Sequence, residues 1–90
     1  MKENDMKFFA ASISPTLPTI DLHNFGSVSD ALEKLGKGLS DFVQKEQYCR
    51  VVHGIGEGVL AVAVHESLNK NSLVAEWREE ENGGSCIVIF

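Results

Sequence analysis

The chain is poor in the residues that mark secreted, membrane-bound or polybasic proteins. It has two cysteines, Cys49 and Cys86, related by neither CxxC nor zinc-finger spacing. That excludes a disulfide-dense scaffold and makes buried thiols in a reducing compartment the ordinary reading, with a disulfide the minority one. Prolines number two, and no repeat or biased segment is visible. No apolar run approaches membrane-spanning length. The opening Met1-Lys2-Glu3-Asn4-Asp5 is too acidic, and Phe8-Phe9-Ala10-Ala11 too short, for a signal peptide. A cytoplasmic protein away from membranes is expected. Positive charge is scarce too, with 8 basic residues against 13 acidic and a net charge of -5. Phosphate neutralisation supplies most non-specific nucleic-acid affinity, so this balance has the wrong sign for binding by bulk electrostatics. A local basic patch stays open.

What is present suffices for one domain. Ninety residues, 43% of them apolar, build one compact core and no deep cavity, so a site should be a shallow surface cleft. Residues 1–15 lack a clear period and read as an N-terminal arm, either packed through Phe8 and Phe9 or partly disordered; residues 16–90 read as the domain.

The domain should run β-α-β-α-β-β. Strand one, about Thr19 to His23, alternates Ile20 and Leu22 against Thr19, Asp21 and His23. Ser27 is a good N-cap for a helix from about Val28 to Lys45, with Asp30 complementing its dipole. An apolar stripe of Ala31, Leu32, Leu35, Leu39 and Phe42 supports that helix. Gly36 and Gly38 inside it are anomalous unless one packs closely on the sheet. Strand two spans about Tyr48 to His53, a second helix about Val59 to Asn69, and strand three about Leu73 to Arg78. The apolar run Cys86 to Phe90 suits a central strand. Right-handed crossovers put both helices on one sheet face, which gives a two-layer α/β sandwich with the other face uncovered.

Two strand ends carry the chemistry. Ligands in open α/β sheets bind at the carboxyl ends of the strands, where Asp21, His23 and His53 all fall. An aspartate beside an imidazole orients it and keeps it available as a general acid or base. An isolated D-x-H also arises easily by chance on the wet face of a strand. Gly54, Gly56 and Gly58 follow His53, and closely spaced glycines at a helix N-terminus suit an anion such as a phosphate. A tight strand-to-helix turn needs glycine anyway, so the two readings are even. The turn is neither a Walker loop nor a dinucleotide fingerprint.

For a metal, Asp21, His23 and His53 offer a carboxylate and two imidazoles, but there is no HExxH. No tightly held metal or other cofactor is expected, and loose Mg²⁺ or Mn²⁺ assistance is left open. His65 reads as an exposed or half-buried helical residue, Trp77 as core or edge packing, and Glu79 to Glu81 as a solvated loop. Arg50 is the basic residue nearest the glycine turn in sequence.

Taken together, the motifs resemble the Smr (small MutS-related) domain from about Thr16 to Phe90. The family's hydrophobic-Asp-Leu-His-Gly element stands here as Ile20-Asp21-Leu22-His23-Asn24. Its His-Gly-x-Gly turn and early helical leucine stand as His53-Gly54-Ile55-Gly56 and Leu60. Its Gly-Gly turn before a hydrophobic strand stands as Gly83-Gly84 and Ile87-Val88-Ile89. Asn24, Ala61 and Ser85-Cys86 depart from the family's usual glycine, basic residue and further glycine.

The resemblance implies a fold similar to the C-terminal domain of translation initiation factor three. Two helices would lie on one face of a mixed four-stranded sheet, with the last strand inserted antiparallel. It implies an endonuclease that nicks DNA or cleaves RNA, with a non-catalytic module binding nucleic acid, a ribosome or a protein as the alternative. Asp21 and His23 would be the catalytic pair, with His53, Gly54 and Gly56 holding or polarising the scissile phosphate. Expected partners are DNA or RNA, and a ribosome or larger MutS-like protein, with the domain itself a monomer.

Overall fold

The computed structural model describes residues 3–55 and 58–90. In chain order its elements are α1 (Glu3–Ile13), β1 (Thr19–Asp21), α2 (Val28–Val43), β2 (Tyr48–Val52), α3 (Val59–Lys70), β3 (Glu76–Glu79) and β4 (Ser85–Ile89). The sheet order is β1-β2-β4-β3. β1 and β2 are parallel, and β4 runs antiparallel to both β2 and β3. The last strand therefore sits inside the sheet, and all five of its residues are buried.

Helices α2 and α3 share one face, as expected. Ala31, Leu35 and Leu39 of α2 and Val64 and Leu68 of α3 close over Ile20, Leu22, Cys49, Val51, Cys86 and Val88. Local chemistry starts α2: Ser27 is extended and its hydroxyl accepts from the Asp30 amide at 3.1 Å. Gly38 has the packing reason its position demanded, since a Cβ there would lie 2.6 Å from Ile20 Cδ1 and 2.8 Å from Cγ1. Its missing side chain lets α2 settle onto β1. Gly36 meets nothing within 4 Å, and no contact explains it.

The other sheet face is not left open. The segment expected to be an arm forms α1, which buries Phe8 and Ala11 against Ile87 and Ile89, with Leu17 and Tyr48 alongside. Polar ties hold it: Asn4 donates to Glu76 Oε1 at 2.9 Å, and the Arg78 guanidinium pairs with Asp5 and lies 4.2 Å over the Phe8 ring. Phe9, the other expected anchor, is exposed. A docking stripe of two residues is too short to show as a helical period, and tertiary contact supplies what propensity does not.

Strand β3 begins at Glu76 rather than Leu73. The Asn71 side chain accepts from the Leu73 amide at 2.9 Å and its carbonyl accepts from Val74 at 3.1 Å. This turn takes the backbone groups a strand would need, and Leu73 and Val74 both pack against the core from it.

The two helical glycines should respond to alanine with opposite signs. Gly36→Ala fills open space and should stabilise by about 0.5–1 kcal/mol. Gly38→Ala gains the same propensity but forces Ile20 off its rotamer, at about 1–3 kcal/mol, so a net loss is expected. Urea midpoints of the two variants would check this, and equal shifts would contradict it.

Candidate active site

The β1–β2 pairing decides which side chains meet. Thr19, Ile20 and Asp21 lie beside Arg50, Val51 and Val52. The ladder goes one step further, with the Leu22 amide donating to Val52 at 2.7 Å. Leu22 is fully buried, so its neighbours Asp21 and His23 project from the sheet face opposite α2. There the Asp21 carboxylate accepts from both the His23 ring Nδ1–H and the His23 backbone amide, the latter at 3.2 Å. The imidazole hydrogen bond first, and the amide second, hold the Asp21 carboxyl below its ordinary range. With Nδ1 committed to the carboxylate, His23 presents Nε2 outward as a proton acceptor or, when protonated, a donor. Both side chains are about half exposed, at 47% and 52%.

Opposite this pair stands Arg50, on the same face because it is in register with Thr19. Its Nε and Nη2 donate to the two Glu80 oxygens at 2.6 and 3.1 Å. Ser85 also donates its hydroxyl to Glu80 at 2.7 Å. Burial alone would raise the Glu80 carboxyl, but the Arg50 and Ser85 hydrogen bonds and the Arg50 charge together bring it below its ordinary value. His23, Arg50, Val52, Gly54, Glu80 and Asn82 are among the walls of an open cleft of about 550 Å³.

The third expected member does not join them. His53 continues the phase of Cys49 and Val51, so its imidazole turns toward α3 and is 4% exposed. Nδ1–H donates to the Gly54 carbonyl at 3.0 Å, and the ring meets His65 edge-on at 5.3 Å between centroids. The D-x-H pair and His53 thus use opposite faces of one sheet edge, and Asp21, His23 and His53 do not form one ligand set.

The glycine turn is also busier than expected. The amides of His53 and Gly54 both donate to the Gly84 carbonyl, at 3.0 and 2.9 Å, so the Gly54 amide already has a partner. Gly54 has φ +84°, and a Cβ on it would lie 3.1 Å from His23 Cβ; glycine here lets β2 pass beside His23. Gly56 lies outside the described residues. Gly58 occupies the N-cap of α3 with φ +86° and no side-chain cap.

Both cysteines are buried and unbridged, and burial pushes each thiol up to about 12. Neither is a ready nucleophile. Sequence reasoning missed Glu80, Asn82 and Ser85. Glu80 sits in an acidic run that reads as solvated, and its pairing with Arg50, thirty residues away, has no local signal. Asn82 secures the turn by accepting from the Gly84 amide at 2.7 Å.

The fold that carries this site is shared with known proteins. The family model for the Smr domain matches residues 20–90. Endonuclease MutS2 of Halothermothrix orenii is 37% identical over 75 residues, which is 80% of this chain but 9% of that protein. The chain thus spans a small part of the curated relative's length. The crystal structure of the Smr domain of Thermus thermophilus MutS2 superposes with a TM-score of 0.74 at 24% identity, covering 81% of this chain and 96% of that one. The solution structure of the Smr domain of NEDD4-binding protein 2 gives 0.61 at 29% identity, covering 84% and 88%. With its D-x-H strand end, its histidine-glycine turn and its inserted last strand all inside the matched span, the chain belongs to the Smr domain family.

Proposed function

We propose that this domain cleaves nucleic acid endonucleolytically, at a phosphate seated in the cleft between His23 and Arg50. The observation that carries the reading is the Asp21–His23 hydrogen bond, which fixes the tautomer and directs the imidazole's second nitrogen outward beside the cleft. A relative named as an endonuclease supports it. In this reading His23 Nε2 takes the proton of the attacking hydroxyl, from water or a ribose 2′-OH, while Asp21 stabilises the imidazolium that forms. Arg50 lends charge to the phosphate. His53 is a positioning residue, shaping the turn through the Gly54 carbonyl and its own amide.

Affinity is set by an internal competition. Arg50 is the cationic side chain lining the cleft, and Glu80 already holds it. The isolated domain should therefore bind weakly, with a shallow salt slope, and rely on a fused domain or a ribosome to present substrate.

His23→Ala should cut turnover by about 10²–10⁴-fold with binding nearly unchanged. Nicking of supercoiled plasmid and cleavage of single-stranded RNA would measure this. Activity that survives the substitution would mark a contaminant, and no cleavage of either substrate would favour a non-catalytic binding module.

Glu80→Gln should release Arg50, tightening oligonucleotide binding and steepening the salt dependence by about one phosphate contact. An unchanged or weaker affinity would count against Arg50 as the phosphate ligand.

The same substitution has a pH signature in stability. Because the folded-state Glu80 carboxyl lies below its ordinary value of 4.5, its stabilisation is present above that value and is lost as pH falls through the folded value. Wild type should exceed Glu80→Gln in urea midpoint at about pH 7, with the gap narrowing as pH falls below the ordinary carboxyl range. A gap independent of pH would show that the charge of Glu80 is not what stabilises.

A further inference from the structure

Behind the cleft, on the opposite sheet face, lies a second cluster, and two of its three members have no part in the proposed cleavage. His53 at the end of β2, His65 on α3 and Cys86 on β4 each bring one donor atom within 4.8 Å of the other two. The Nε2 atoms of His53 and His65 are both buried and both lack a hydrogen-bond partner. A buried polar atom without a partner costs about 1–3 kcal/mol, so two side by side call for an explanation.

The surroundings prepare the donors. His53 gives its Nδ1–H to the Gly54 carbonyl at 3.0 Å, which leaves Nε2 as the lone-pair nitrogen aimed inward. A histidine held this way by a backbone carbonyl is how proteins orient a metal-bound imidazole. His65 is fixed by the Trp77 ring, stacked on it at 4.5 Å and 19°. Trp77 is itself anchored by donating its indole N–H to Asn69 at 2.8 Å. Cys86 is a fully buried unbridged thiol in the central strand.

We propose that His53, His65 and Cys86 form a binding site for a borderline transition-metal cation of the Zn²⁺ type, held by two imidazole nitrogens and one thiolate. Zinc–nitrogen bonds of about 2.0–2.1 Å and zinc–sulfur bonds of about 2.3 Å separate donors in a tetrahedral site by roughly 3.5 Å. The cluster therefore closes onto an ion by side-chain adjustments on the order of 1 Å. Coordination removes the thiol proton, which passes to solvent, and leaves both imidazoles neutral. Oxygen-seeking Mg²⁺ and Ca²⁺ do not fit two nitrogens and a sulfur. The ion would tie β2, β4 and α3 together directly behind the histidine-glycine turn. His53 is shared with the proposed cleavage site as a positioning residue, whereas His65 and Cys86 have no part in it, so metal binding is tested without the cleavage reaction.

The test uses the whole 90-residue chain, reduced and metal-free, titrated with Co²⁺ as an optical probe and then with Zn²⁺. One equivalent of Co²⁺ should give a tetrahedral visible spectrum with a thiolate-to-cobalt charge-transfer band, and Zn²⁺ should displace it. Cys86→Ser should abolish that band, Cys49→Ser should leave it, and His65→Gln should weaken binding by at least about tenfold. His23→Ala should change nothing in this titration. Side-chain NMR of the unmutated protein provides a readout independent of any variant's folding: Zn²⁺ should move the His53 and His65 ring resonances and leave His23 in place. No saturable binding, a charge-transfer band that survives Cys86→Ser, or ring shifts centred on His23 would each overturn the proposal.

Discussion

Strand β4 is the constraint on which the rest of the molecule depends. From Cys86 to Ile89 its residues are apolar on both faces, so it is stable only with cover above and below and with partners on both edges. Insertion between β2 and β3 supplies the partners. Cys86 and Val88 then point to α2 and α3, and Ile87 and Ile89 point to α1. The helix at the start of the chain is thus the second lid of the core. The same insertion brings the Gly83-Gly84 turn against the start of the glycine loop, where one carbonyl of Gly84 receives the amides of both His53 and Gly54. A packing requirement in the last strand is in this way transmitted to the candidate active site.

Side-chain parity then divides the conspicuous residues into two groups. In a parallel pair, residues side by side share a face, so the phase of β1 carries over to β2. Asp21 and His23 fall in phase with Arg50 and Val52, and His23 opens onto the cleft. His53 falls in phase with Cys49 and Val51 and enters the interior. The two histidines therefore have different surroundings: His23 lies beside the cleft, and His53 holds the turn and faces His65 and Cys86.

The electrostatics show why a net charge says little about a site. The overall balance of -5 suggests a surface hostile to phosphate. The cleft instead contains an arginine at its wall, fixed by a carboxylate that itself accepts from a serine hydroxyl. In the reading proposed above, one ion pair limits anion affinity there, and such pairs yield to a ligand that offers equivalent charge in better geometry.

Much of this was legible in the residues themselves. The alternation of Ile20 and Leu22 against Asp21 and His23, the Ser27 cap and the stripe of α2 are local, because backbone periodicity and short-range hydrogen bonds set them. They determined the α/β order, the two helices on one face and the half of the site built from adjacent residues. Tertiary structure alone decided what depends on partners far apart in sequence. The docking of α1 rests on Phe8 meeting Ile87 and Arg78. The late start of β3 rests on an Asn71 turn together with core burial of Leu73 and Val74. The capture of Arg50 by Glu80, and the meeting of His53, His65 and Cys86, arise where separate elements cross. The periodicity of a single segment carries no information about which other segment will lie against it; sheet order and strand parity supply that, and both are properties of the assembled chain.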